Sequence, residues 1–295
     1  MYSYLDRFLK TKRIEGCTEK TLNAYQYEIA RFLDFIKNET KRNPSLKDLN
    51  QEKVEDWLAN GHIENTTRAR MLSSLKSFSR FLNDRDLLKT NPLEKLKTPR
   101  IRKKTISFLT TEEFQTLLRD AKNDSLKIKT LRGRDYAILA LFIGSGIRIS
   151  ELRGLKMQNV DLKAGQIKIT RKGGKEQWVP IGEGVKKALS DWLECRNELK
   201  INPKNQSLFL SNRMLPMSVQ TIRDVVKKWM KRTGLWGKKM SPHTLRHSYA
   251  TAQIAAGTPV QIVQELLGHN QLNTTSKYLH IVNEEYKKAA NKIKF

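Results

Sequence analysis

The sequence predicts a mainly α protein with a small β-sheet, arranged as an N-terminal helical bundle followed by an α+β domain. Three patterns predict it. Apolar residues recur at helical spacing across residues 1–88. A basic stretch bearing two prolines, KTNPLEKLKTPRIRKKT, then interrupts that period. Beyond it helical spacing resumes, gives way to a period of two between residues 160 and 181, and returns.

The elements follow in order. Leu5, Phe8 and Leu9 begin the first helix. Thr18 is placed to cap a second, whose one face carries Leu22, Tyr25, Ile29, Phe32, Leu33 and Ile36. Asn50 caps a third with Val54, Trp57 and Leu58, closing at Gly61. A fourth starts near Thr66 and buries Met71, Leu72, Leu75, Phe78 and Leu82. Arg68, Arg70, Lys76 and Arg80 fall mostly on its other side, a face that suits a nucleic-acid backbone or simply water. Pro92 and Pro99 mark residues 89–107 as a basic linker, and residues 108–295 form the second domain. There Thr110 and Glu113 make a capping box for EEFQTLLRDA, and YAILALFIG reads as a buried helix. VDL, QIKIT and QWVPI are strand candidates, with Gly173 and Gly174 as the turn between the last two. VKKALSDWLECR is helical, SLFLS a short strand, and residues 218–231 a helix. Ser241 with Pro242 starts another helix that ends by Gly257. PVQIVQELLG, a stretch ending at Tyr278 and a charged tail helix complete the chain.

Composition narrows the class. Across 295 residues, 56 Lys and Arg stand against 30 Asp and Glu, a formal charge of +26. That excess favours a polyanionic partner, because Lys and Arg displace the counterions condensed on nucleic-acid phosphates. Cys17 and Cys195 lie far apart, outside any zinc-ligand spacing, as in a reduced cytoplasmic chain. The first residues, MYSYLDRFLKTKR, lack an apolar secretory core. No apolar run approaches the ~18 residues of a membrane span.

The chemistry-bearing residues cluster in the second half. They are Arg148 in GSGIRISEL, Lys172 in TRKGGKEQWVP, His243 and Arg246 in SPHTLRHS, His269 in LLGHNQ, and Tyr278 in TTSKYLH. A phosphodiester attacked at phosphorus spreads negative charge over its equatorial oxygens, and fixed cations stabilise it. Arginine suits this because its planar fork meets two oxygens and stays charged. Glu151, three residues after Arg148, is placed either to orient that guanidinium or to make an ordinary intrahelical pair. His243 and Arg246 share a helix face near an N-terminus, where the dipole favours an anion. His269 follows a helix-ending glycine, which suits a ligand or a structural histidine. Lys172, or Lys175 on the same turn, can donate a proton to a leaving oxygen or contact a phosphate as a point charge. Tyr278 is a candidate nucleophile that needs neighbouring cations or a base to shed its proton. The segment from Ala250 to His280 also has the helix–turn–helix pattern of a regulator that binds DNA without cutting it.

Together these segments resemble the tyrosine recombinase, or phage integrase, family. The resemblance spans nearly the whole chain. GSGIRISEL is similar to the family's TGLRISEL, HTLRH and LLGH match in order, and Tyr278 lies nine residues after His269. RKGGKEQWVPI resembles the family's hairpin GKGxKxRxVP and aligns Lys172 with its lysine; Arg171 departs from it, standing where many members have glycine. The resemblance implies a tyrosine recombinase catalytic domain and attack by Tyr278 to form a 3′-phosphotyrosyl DNA ester. In that scheme Arg148, Arg246 and His269 stabilise the phosphate, Lys172 protonates the leaving 5′ oxygen, and His243 assists proton transfer. No metal, ATP or other cofactor is implied, and no GxxxxGK[ST] loop is present. It further implies double-stranded DNA with an inverted-repeat core site, bound by a homotetramer on two sites or a heterotetramer with a related recombinase. The short N-terminal unit points to the simple Xer-like branch. That branch resolves chromosome, plasmid or transposon multimers, or moves a small mobile element. A type IB topoisomerase-like relaxing enzyme shares the residue set and is the alternative, with the non-catalytic regulator.

Overall fold

The computed structural model describes residues 1–100, 108–125, 131, 133–171, 173–235 and 241–268. The chain divides into two compact units, Met1–Lys104 and Thr105–Phe295.

The described residues of the first unit hold four α-helices: α1 (Tyr2–Ile14), α2 (Glu19–Thr40), α3 (Gln51–Ala59) and α4 (Asn65–Asn83). Thr18 Oγ1 accepts from the Thr21 amide at the start of α2, and Asn50 Oδ1 from the Lys53 amide at the start of α3. The apolar stripes of these helices meet in one core, where Phe8, Ile29, Leu33, Leu75 and Phe78 are fully buried. Phe8 packs edge-on against Tyr25, Phe78 and Phe81. Leu93 and Leu96 also enter this core, so the packing of the unit continues past residue 88 into the stretch expected as linker. Burial of their apolar side chains holds Leu93 and Leu96 on the bundle.

Two carboxylates brace the unit from inside. Asp48, 3% exposed, accepts from both terminal nitrogens of Arg42, from Lys53 and from Ser45. The hydrogen bonds from Arg42, against the cost of burial, hold its carboxyl well below the usual range. Glu28, buried between α2 and α4, accepts from Ser74 Oγ and pairs with Arg70.

In the second unit, α5 (Thr111–Ser125) begins at the Thr110–Glu113 capping box, whose two reciprocal bonds measure 2.9 and 3.3 Å. Helix α6 (Arg134–Ser145) runs through the core, with Ala137 to Phe142 almost wholly buried. The short α7 (Ile149–Gly154) leads to an antiparallel sheet of β1 (Val160–Asp161), β2 (Gln166–Thr170) and β3 (Glu176–Pro180), in the order β1-β2-β3. The β2–β3 register pairs Ile167 with Val179 and Thr170 with Glu176. Gly173 and Gly174, at φ of 88° and 82°, turn the hairpin through backbone space that favours glycine. Helices α8 (Glu183–Asn197) and α9 (Val219–Arg232) pack Trp192 and Trp229 into the same core. Ser241 caps α10 (Pro242–Ala255), and α11 (Val260–Leu267) closes the described part.

SLFLS does not form a strand. It makes two isolated bridges, Lys156 with Ser207 and Leu210 with Pro216. Its partner changes within four residues, from the segment after α7 to the chain's own return, so no ladder propagates. Among the described residues, no helix is long and apolar enough to cross a membrane.

Candidate active site

The site is built around the C-terminal end of α11. A helix end leaves its last carbonyls without intrahelical donors. Here arginines from three separate elements supply them. Arg246 of α10 donates through Nη2 to the Leu267 carbonyl at 2.5 Å and through Nη1 to the Gly146 carbonyl at 2.7 Å. Arg148 donates through Nη2 to the Gly268 carbonyl at 3.1 Å. Arg171, at the end of the hairpin strand β2, donates to the Leu266 carbonyl at 2.7 Å and the Leu267 carbonyl at 3.1 Å. The partial negative charge of the helix end favours all three cations.

Two glycines permit this approach. Gly146 follows α6 at φ 59°, and a methyl group there would lie 2.5 Å from the Tyr249 ring and 2.8 Å from Leu267 Cδ2. Gly268 ends α11 at φ 59°, and its own methyl would meet the Arg171 guanidinium at 2.7 Å. Both positions therefore require glycine twice over, by conformation and by space.

Glu151 is the anionic centre of the cluster. Its side chain is 2% exposed and accepts from the Arg148 amide at 2.8 Å and Arg148 Nη1 at 2.7 Å. It also accepts from Arg171 Nη1, 3.2 Å from each carboxylate oxygen. Burial raises its proton affinity, but the Arg148 bonds and the charges of Arg171 and Arg148 outweigh it, so its pKa falls below the ordinary value. Burial lowers the Arg171 pKa and the Arg148 charge adds to that, while Glu151 opposes both. Burial raises the Tyr249 phenol. Among the described residues, three guanidinium groups against one carboxylate leave the cluster net positive. Arg148, with a 29% exposed side chain, is its accessible edge. That edge is where the cluster's positive charge can meet an anionic group.

The structure thus brings Arg148, Glu151 and Arg246 together. His243 stands exposed in the first turn of α10, one turn before Arg246. Lys175 is exposed on the hairpin turn, where its carbonyl accepts from the Arg171 amide at 2.7 Å. Lys172, His269 and Tyr278 lie outside the described residues. In the first unit, Arg68 donates to the Leu58 carbonyl, Arg70 pairs with Glu28, and Lys76 donates to the Glu94 carbonyl. Arg80 is exposed and shares a surface cavity with Lys12 and Arg85.

Arg171 is the residue that sequence reasoning passed over. Its only signal was the departure from the hairpin pattern; its burial depends on α11, 95 residues away in the chain.

Residues 107–285 match the phage integrase family, and residues 5–86 match the phage integrase N-terminal SAM-like domain. The chain belongs to the phage integrase family of tyrosine recombinases. This recombinase is 36% identical over 291 residues to tyrosine recombinase XerC of Thermodesulfovibrio yellowstonii, covering 94% of its own length and 91% of that protein. It is 29% identical over 289 residues to tyrosine recombinase XerD of Vibrio cholerae serotype O1, covering 97% and 94%. Among solved structures it resembles the XerA recombinase, with 25% identity, a TM-score of 0.56, and 100% and 99% of the two chains covered. It shares its fold with the XerH site-specific recombinase bound to palindromic difH substrate, with 22% identity, a TM-score of 0.77, and 95% and 81% covered. The recombinase is of the Xer type, an enzyme of DNA cleavage and rejoining.

Proposed function

We propose that this recombinase cuts each DNA strand through a 3′-phosphotyrosyl intermediate with Tyr278 as nucleophile. The Tyr278 hydroxyl oxygen bonds to the scissile phosphorus and the bond from phosphorus to the 5′ oxygen breaks. Lys172 delivers the proton that the leaving 5′ oxygen needs, and His243 assists proton transfer at the tyrosine. Arg148, Arg246 and His269 hold the charge of the transition state, and Glu151 holds Arg148 in place. A 5′ hydroxyl from a second strand then attacks the tyrosyl ester and reverses the steps. The ester conserves bond energy, so the exchange needs no ATP.

The observation that carries this reading is the convergence of Arg148 and Arg246, nearly 100 residues apart, on the end of α11 immediately before His269. A DNA-binding regulator has no need of Tyr278 beside such a set. The substrate is double-stranded DNA with an inverted-repeat core site. A homotetramer, or a heterotetramer with a related recombinase, holds two sites, and the outcome is resolution of DNA multimers or integration and excision of a mobile element. Arg68, Arg70, Lys76 and Arg80 of α4 and Lys175 of the hairpin turn contact the DNA backbone.

Covalent capture tests the reading. The protein is incubated with nicked, fragmented DNA from its source, denatured, and the attached DNA is sequenced, with Tyr278→Phe in parallel. Adducts from the wild type alone, converging on one inverted-repeat site, are expected. Relaxation of supercoiled DNA without site dependence would point instead to a topoisomerase. Binding without any adduct would leave a regulator or an enzyme that depends on a partner recombinase.

A further inference from the structure

Arg171 makes more contacts than a surface arginine at a hairpin base needs. Its side chain is 9% exposed. Nε donates to Gln177 Oε1 on β3 at 2.9 Å, Nη1 reaches Glu151 and the Leu267 carbonyl, and Nη2 reaches the Leu266 carbonyl. Its amide, donating to the Lys175 carbonyl at 2.7 Å, closes the hairpin turn, and its carbonyl accepts from the Gly174 amide at 3.1 Å. One guanidinium therefore ties three pieces together: the hairpin, the carboxylate that holds Arg148, and the end of α11. Burying that charge costs free energy, and the five-donor fork offsets it by reaching four acceptors at once.

The chain neighbours of these contacts give the arrangement its meaning. Lys172 directly follows Arg171, and His269 directly follows Gly268, the glycine packed on the Arg171 guanidinium. We infer that Arg171 is a positioning residue, which sets Lys172 in register with the Arg148–Glu151 pair. The inference rests on the phosphotyrosyl mechanism proposed above. Two glycines form the hairpin's turn and residues 173–176 are exposed, so the turn by itself has backbone freedom. Arg171 removes that freedom through side-chain bonds made in a buried place. A lysine there keeps the charge but cannot form the fork; a methionine keeps the length and loses both.

The test compares cleavage of two duplexes carrying the captured site. One has the ordinary phosphodiester, and the other has sulfur in place of the bridging 5′ oxygen. A thiolate leaves without a proton, so the sulfur duplex does not depend on a placed Lys172. Arg171→Met is expected to slow cleavage of the ordinary duplex by about 10- to 100-fold, the scale of a misplaced catalytic group. The sulfur duplex should recover most of that loss, and DNA affinity should stay within about threefold of wild type, since phosphate contacts elsewhere carry binding. Arg171→Lys should fall between. Gln177→Ala, which removes only the Nε acceptor that ties Arg171 to β3, should give a smaller loss with the same recovery on sulfur and guards against a variant that fails to fold. Cleavage of the ordinary duplex at the wild-type rate by folded Arg171→Met, or an equal loss on both duplexes, would overturn the inference. If the wild type forms no adduct on either duplex, alone or with a related recombinase added, the phosphotyrosyl reading itself fails, and this inference with it.

Discussion

Replacing Glu151 with glutamine isolates the centre of the arginine cluster. The carboxylate is 2% exposed and is shared by Arg148 and Arg171. Glutamine keeps the volume and one acceptor, removes the charge, and turns an amide donor toward groups that are themselves donors. Breaking a buried ion pair on one side costs about 3–5 kcal/mol. The lower end applies here. Arg148 is 29% exposed and can take water, while Arg171 keeps the carbonyls of Leu266 and Leu267. A loss of about 3 kcal/mol in a unit of this size lowers Tm by roughly 6–12 °C. The sign with pH follows from the depressed pKa. The ionised carboxylate contributes its full stabilisation above the ordinary glutamate value of 4.5, and that contribution is lost as pH falls through the lower folded value. The gap between wild type and Glu151→Gln should therefore be constant from pH 5 to 8 and close below about pH 4.5. Thermal unfolding followed by circular dichroism at several pH values measures it. Equal Tm values at pH 7, or a gap that widens on acidification, would refute the shared-anchor reasoning. In the same preparation, covalent capture of DNA should fall by about 10-fold or more, because Arg148 loses its orienting partner.

Two further perturbations test the frame around the site and the helical unit. Gly146→Ala forces a left-handed backbone onto alanine and drives a methyl against Tyr249 and Leu267; it should cost about 2–4 kcal/mol in urea unfolding and reduce adduct formation with it, since Arg246 bonds the Gly146 carbonyl. Asp48→Asn in the first unit removes the charge that Arg42 and Lys53 share. It should destabilise residues 1–104 by about 1–3 kcal/mol at pH 7. Because the Asp48 carboxyl is held well below its ordinary value of 3.8, the wild type should lose that advantage only in acid, as pH falls below about 4. Native-state hydrogen exchange of α2 and α3 against pH is the measurement; an advantage that persists unchanged to pH 2 would rule the ion pairs out as its source.

The local features of this protein were written in short stretches of sequence. Thr18, Asn50, Ser218 and Ser241 each cap the helix that follows because a side-chain oxygen needs only an amide three residues on. The β2–β3 hairpin was legible because two glycines and a period of two share one segment. Of the ordered polar residues, Arg148, Glu151 and Arg246 were legible from residue type and are brought together in the fold. Features that depend on distant partners were not. SLFLS has strand composition but finds two different neighbours, so it remains a pair of bridges. Leu93 and Leu96 sit among prolines, and only the existing core of the first unit gives them a reason to bury. Arg171 looked like a blemish in a motif. Its place among Glu151, Gln177 and the last carbonyls of α11 arises from contacts 6 to 96 residues apart, which no local pattern encodes. Sequence by itself determined which chemistry the chain carries. Tertiary structure decided which cations face one another, because a buried charge is stable only where the fold delivers enough acceptors to replace water.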